Sequence, residues 1–271
     1  MKNLLYLALL VVTVSFWSCN SSSNTQKTDW DEWELKGKVK ELTITVYEAH
    51  SAFGELQKDN IWYSRQYHFT EDGKYSYVLE GKGSMLYDWR SEYSYSGNEV
   101  VVTYYKNDFL NGKSIATFNE NGDIKRMTLY DSAGKEKEKE EYLYNEKNQL
   151  VEKSYYRENE LRYKDKDYVY NAEGLVKSYK TYNQDGLDHI CQLTYDSQGR
   201  VIKNESYEPD GSKNIYSSVE KTYNQEGFLS SIKYADNPPH EYTYKYDSKG
   251  NFIIRNDYGM STIEERKIVY Y

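Results

Sequence analysis

One unit recurs along most of this chain and leaves it few folds to adopt. From Tyr170 to Tyr223 it is written about twice: a Tyr-Asx-x-x-Gly turn, a strand, a second Gly turn and a strand back. Tyr170-Asn171-Ala172-Glu173-Gly174 opens one copy and Tyr195-Asp196-Ser197-Gln198-Gly199 the next. Along the chain an aromatic residue opens a turn at Phe69, Tyr95, Phe118, Tyr144, Tyr170, Tyr195, Tyr223 and Tyr246, in steps of 23 to 28 residues. Asx bonds its own backbone, two residues take a type I turn, and Gly takes the left-handed position. Asn148 replaces Gly in the Tyr144 copy; Asn is the next best residue at positive φ. Between these turns lies a second set, at Asn111-Gly112, Ala133-Gly134, Asp185-Gly186 and Asp210-Gly211. Asp236-Asn237-Pro238-Pro239 and Tyr258-Gly259 hold the same place in the last copies, and the copy near Asn159 is degenerate.

Each unit of about 25 residues therefore carries two turns and two strands, the signature of a hairpin array. Alternation is clear before the main turns. Tyr242, Tyr244 and Tyr246 share one face while Glu241, Thr243 and Lys245 share the other. After the turns it is less regular, with an apolar residue two past each Gly: Ile124, Val176, Val201, Leu229, Phe252. Val39 to Tyr47 forms the first strand. The expected fold is all-β, an antiparallel up-and-down meander of about eight hairpin repeats and roughly 16–18 strands. Accumulated twist favours a curled or barrel-like form; an open single-layer sheet is the alternative. A membrane-spanning barrel is disfavoured, because Lys, Glu and Asp occupy many positions a lipid face would need.

Residues 1–18 form an export signal, with Lys2 as its positive end and an apolar run from Leu4 to Phe16, too short to span a bilayer. Phe16-Trp17-Ser18-Cys19 resembles a bacterial lipobox, although Phe16 and Trp17 depart from its usual residues. That resemblance implies lipidation of Cys19 and a membrane partner through it, in the bacterial envelope and at the outer membrane. Ordinary secretion, with Cys19 incidental, is the alternative. Residues 19–29 are a polar tether, and 30–271 a single repeat domain.

The charge of −8 argues against a nucleic-acid partner. Apolar content rests on 32 Tyr, against 7 Phe and 5 Trp, and each Tyr hydroxyl must stay wet or bonded. Such a core is thin, curved or open to solvent. His50, His68, His189 and His240 lack metal-ligand spacing, and Gly residues sit at turns, so no metal, cofactor or catalytic residue is expected. Cys191 is expected as a buried apolar residue in its strand. The run Glu136 to Glu141 reads as a solvated strand.

Tyr195-Asp196-Ser197-Gln198-Gly199-Arg200-Val201 resembles the YDxxGRL repeat of RHS and teneurin-type proteins. Tyr246-Asp247-Ser248-Lys249-Gly250-Asn251-Phe252 is similar, with Asn251 in place of Arg, and other copies lose the Arg. The resemblance runs from Phe69 to the C-terminus, in a chain short for an RHS shell. As a whole the chain is similar to small repeat lipoproteins of Bacteroidetes, a likeness that implies a location more than an activity.

Trp30, Trp33, Trp62 and Trp89 cluster in the first third of the mature chain. They either cap the array, where repeats are atypical, or form an aromatic platform for a ligand. The expected function is a lipid-anchored, non-enzymatic binding or interaction module for a glycan or a protein. A toxin-neutralising immunity-type protein and an envelope hydrolase are the rivals.

Overall fold

The computed structural model describes residues 28–83 and 87–271. The export signal, Cys19 and most of the tether lie outside them. One helical turn, α1 (Asp29–Glu32), precedes eighteen strands: β1 (Val39–Ala52), β2 (Glu55–Phe69), β3 (Tyr75–Lys82), β4 (Trp89–Ser96), β5 (Glu99–Lys106), β6 (Phe109–Phe118), β7 (Ile124–Asp131), β8 (Glu136–Tyr144) and β9 (Leu150–Arg157). The series continues with β10 (Glu160–Tyr170), β11 (Val176–Asn183), β12 (Gly186–Tyr195), β13 (Val201–Tyr207), β14 (Lys213–Tyr223), β15 (Leu229–Tyr234), β16 (His240–Tyr246), β17 (Phe252–Asp257) and β18 (Thr262–Tyr270). Every strand pairs antiparallel with the next, and β18 pairs back onto β1 from Val39↔Tyr270 to Glu48↔Thr262. The meander is a closed barrel and leaves no open edge, which rules out the single-layer alternative.

The main turns form as their residues dictate. The Asp196 carboxylate accepts the backbone N–H groups of Gln198 and Arg200 at 2.9 and 3.0 Å, and Gly199 sits at φ +78°. Asn148, the substitute for Gly, takes φ +58°. A bulge follows each such turn except the one at Tyr95. Phe118 faces Ile124 and Thr117 faces Arg126, so one residue on β7 is skipped. The same slip occurs at Tyr144, Tyr170, Tyr195, Tyr223 and Tyr246. It explains the irregular alternation: after a turn, inward residues are three apart (Ile124 and Met127, Val176 and Tyr179) rather than two. The β5–β6 turn differs from expectation. It falls at Asn107-Asp108, both at positive φ, and Gly112 lies within β6 at a bulge.

Tyrosine hydroxyls stitch each hairpin to the one before. Tyr144 donates to the Ile124 carbonyl at 2.8 Å, Tyr170 to Leu150 at 2.6 Å, Tyr195 to Val176 at 2.7 Å and Tyr223 to Val201 at 3.1 Å. Phe in these places would leave the carbonyls to water. In the copy that keeps the full motif, Arg200 reaches Asp196 at 2.7 Å, lies 4.3 Å over the Tyr223 ring and approaches the Gly227 carbonyl at 3.4 Å. Its side chain therefore bridges two successive turns.

The N-terminal segment 28–38 occupies the lumen at the end where these turns lie. Trp33 packs on Tyr67 of β2 at 4.7 Å, and its indole donates to the Tyr75 hydroxyl on β3 at 2.7 Å. Arg266 of β18 lies over the same indole at 5.4 Å. Only the concave face brings β2, β3 and β18 around one ring. One buried cluster, Val39, Leu42, Ile44, Val46, Tyr67, Phe69, Tyr75 and Val78, lies on this side, and Ile124, Tyr142 and Cys191 are buried elsewhere around the ring. Asn251, which replaces the motif Arg, is 1% exposed and exchanges two bonds with the Lys36 backbone, at 2.6 and 3.0 Å. Docking of the segment accounts for that departure from the repeat. Close packing joins strands that neighbour in the ring, and β2 with β18.

The outer wall is polar at mid-strand, where Lys139, Lys164, Lys180, Gln192, Lys203 and Lys245 face outward. It lacks the apolar band of a lipid-facing barrel. Among the described residues no helix is long and apolar enough to cross a membrane.

Candidate ligand site in the barrel lumen

Same-face partners can be followed around the ring from the core: Val78 to Ser91, Ser91 to Tyr104, and Val102 through Ser114 and Leu129 to Glu138. The inward face of β8 is therefore Glu138, Glu140, Tyr142 and Tyr144. Across it the register lays transverse rows. Glu138 faces Arg157; Glu140 faces Tyr155, which faces Tyr163; Tyr142 faces Lys153, then Asp165, Thr181 and His189. Neighbouring strands are about 4.8 Å apart, so each row is one continuous contact surface.

Hydrogen bonds fix the rows. Arg157 donates to Glu138 at 2.7 Å, Lys153 pairs with Glu140 at 3.2 Å, Tyr142 donates to Glu140, and Thr181 donates to Asp165 at 2.7 Å. The Tyr155 and Tyr163 rings stack at 5.0 Å, and Tyr168 stacks on Tyr179 at 5.3 Å. Burial pushes the Asp165 carboxyl up against the Thr181 bond and the Lys153 charge. Burial, with Glu140 and Asp165 nearby, pushes the Tyr163 phenol up to about 12. The tyrosines stay neutral and act as hydroxyl donors. Glu138 and Glu140 stand inside the lumen rather than on the solvated strand expected of the run Glu136 to Glu141. Stepping back by twos from Tyr144 and Tyr142 lands on both, so the strand period carried this signal beneath the charge pattern.

On the opposite wall Glu264 holds Arg255 at 2.6 Å and Arg266 at 2.8 Å, and Arg65 holds Glu80 at 2.6 Å. These pairs support the N-terminal segment: the Arg266 guanidinium covers the Phe252 ring at 3.5 Å and reaches the Trp33 carbonyl at 3.4 Å. This side of the lumen is filled. The wall from β8 to β12 lies across the ring from it.

No family model and no curated protein matches the chain. Among solved structures, it is similar to a porin-like protein from Bacteroides uniformis, at 11% identity and TM-score 0.48 over 87% of this chain and 98% of that one. A porin-like protein from Bacteroides vulgatus gives 9% identity and TM-score 0.36 over 86% and 99%. The TcdB2-TccC3 crystal structure gives 11% identity and TM-score 0.34, with 74% of this chain matching 14% of that one. These likenesses transfer neither a site nor an activity.

The tryptophans of the first third do not form one platform. Trp30 and Trp33 lie in the N-terminal segment, each with its indole N–H bonded, Trp30 to the Val39 carbonyl at 2.8 Å. Trp62 is exposed on β2, and Trp89 sits at the start of β4 with Lys106 5.0 Å over its ring. Among the described ring contacts neither meets the first pair. His50 pairs with Asp59 at 2.9 Å, His68 stacks on Tyr77 at 4.0 Å, and His240 packs edge-on to Tyr234 at 5.7 Å. Among the described residues no group of three His, Cys, Asp or Glu is placed to hold a metal ion. Cys191 is buried, on the row beside Tyr179.

Proposed function

We propose that this chain is a lipid-anchored, non-enzymatic protein of the bacterial envelope that binds a glycan or protein ligand in its lumen. The supporting observation is the contrast between its two walls. One is filled by the N-terminal segment; the other turns tyrosine rings and hydrogen-bonding groups toward the interior, the composition of a binding surface. The carboxylates there are engaged, Glu138 by Arg157, Glu140 by Lys153 and Tyr142, and Asp165 by Thr181. None is left as an isolated acid or base beside a nucleophile, which favours binding over hydrolysis. Arg200 bridging two turns supports the YD-repeat resemblance by giving each motif residue a structural task. Tethered through Cys19, the barrel would stand off the membrane with its polar outer wall in water.

Two measurements test this. Cys19→Ala should move the protein from the membrane to the soluble fraction and abolish uptake of labelled acyl chains; a wild type that takes up none removes the anchor. Glycan arrays and pull-downs with the intact protein should return a ligand, and turnover of a retained glycan would replace binding with hydrolysis.

A further inference from the structure

The wall patch from β8 to β11 limits the chemistry of its occupant. It alternates aromatic rings with charges: Tyr155 and Tyr163 form a stacked pair at 5.0 Å, with Glu140, Asp165, Lys153 and Arg157 around it. An apolar ligand such as a lipid chain would take these paired charges further from water and offer nothing to the lone pairs and N–H groups that their partners leave over. A polyanion would meet three carboxylates, Glu138, Glu140 and Asp165, against two cations, in a chain of net charge −8. An extended peptide binding by strand addition needs a free edge, and the closed ring offers none. A metal ion finds no group of three ligands among the described residues.

A neutral polyhydroxylated chain meets none of these objections. The apolar face of a hexose ring packs on a tyrosine ring, and its hydroxyls both donate and accept. They can donate to the spare lone pairs of Glu138, Glu140 and Asp165 and accept from Arg157 and the tyrosine hydroxyls. Arg157 keeps about half of its side chain open, at 52%, although it is bonded to Glu138, so it has donors to spare. We infer that the patch centred on Tyr155 and Tyr163 is a subsite for an uncharged hexose oligosaccharide. This rests on the binding-module reading above and adds the ligand class and the residues.

The test uses the intact protein and calorimetry against soluble six-unit β-1,4- and α-1,4-linked hexose oligomers, with polygalacturonate as the anionic comparison. One hexose oligomer should bind and polygalacturonate should not. Tyr155→Leu with Tyr163→Leu should weaken binding at least tenfold with an unchanged far-ultraviolet spectrum. Should that pair fail to fold, Glu140→Gln, which keeps the side chain's shape, serves in its place and should weaken binding severalfold. Equal binding by wild type and the folded variants overturns the subsite while leaving lumen binding intact. Preference for polygalacturonate, or no hexose binding at millimolar concentration, overturns the ligand class. Capture of a specific protein in the parallel pull-down would then leave the binding-module reading standing.

Discussion

The Tyr170 hydroxyl donates to the Leu150 carbonyl at 2.6 Å and ties the end of β10 to the start of β9. Tyr170→Phe keeps the ring and removes this bond, so it should lower unfolding free energy by about 1 kcal/mol. Urea titration of the variant checks this. An unchanged midpoint would mean that solvent satisfies the carbonyl equally well.

Two glycines of neighbouring turns and strands should respond differently to alanine. A Cβ at Gly112 would sit 2.3 Å from the Tyr130 carbonyl oxygen, which is backbone and held by the β6–β7 ladder. Gly112→Ala should cost about 2 kcal/mol or more. Gly122 has φ +82° and open space around it, so Gly122→Ala should cost only the left-handed penalty, about 1 kcal/mol. Thermal melts of both, side by side, give the ranking.

Arg266 is 7% exposed and shares Glu264 with Arg255. Arg266→Ala removes one member of a buried charge network and should destabilise by about 3 kcal/mol. It should also loosen the N-terminal segment, seen as a red shift in tryptophan emission. A loss of stability with no red shift would separate Arg266 from the docking of Trp33.

Asp29, Glu32 and Glu34 on that segment all titrate above the usual carboxylate range, chiefly because the surrounding wall desolvates them. Lys74 beside Asp29, and Arg266, Arg200 and Lys36 beside Glu34, offset this only in part. A carboxyl raised in the folded state favours folding when protonated, and that contribution is lost as pH rises through the folded value. The segment should therefore dock more tightly on acidification from neutral pH toward the raised carboxylate range. Acrylamide quenching of tryptophan should fall from pH 7 to pH 5, and a rise would reverse the sign.

Cys191 is buried and burial raises its thiol. It should react with a thiol reagent only after denaturation. Rapid labelling of the native protein would show that the wall between β11 and β13 opens.

The turns were legible because each needs a residue with a special backbone or a short acceptor, and Asx and Gly announce themselves. The number of strands followed from them. Closure was not encoded in any one repeat, since it depends on β1 meeting β18. Orientation after each turn was hidden by the bulges, which shift Met127 and Lys153 to a face that simple alternation from Ile124 and Leu150 denies them. The lumen patch was half legible: Tyr142 and Tyr144 mark their face, but Glu138 and Glu140 resemble surface residues until the sheet is known to close into a ring. The N-terminal segment was visible only as an excess of tryptophan.

Ring closure also sets an order of events for folding. The hairpins are local, but Tyr271 reaches the Phe69 carbonyl across 202 positions, and β1 has its second neighbour only once β18 exists. Hairpins should therefore accumulate early and wait on one late, long-range step. Until that step, two raw strand edges are exposed to any other chain. Aggregation of this protein should therefore track the lifetime of the unclosed ring more than the stability of the closed one.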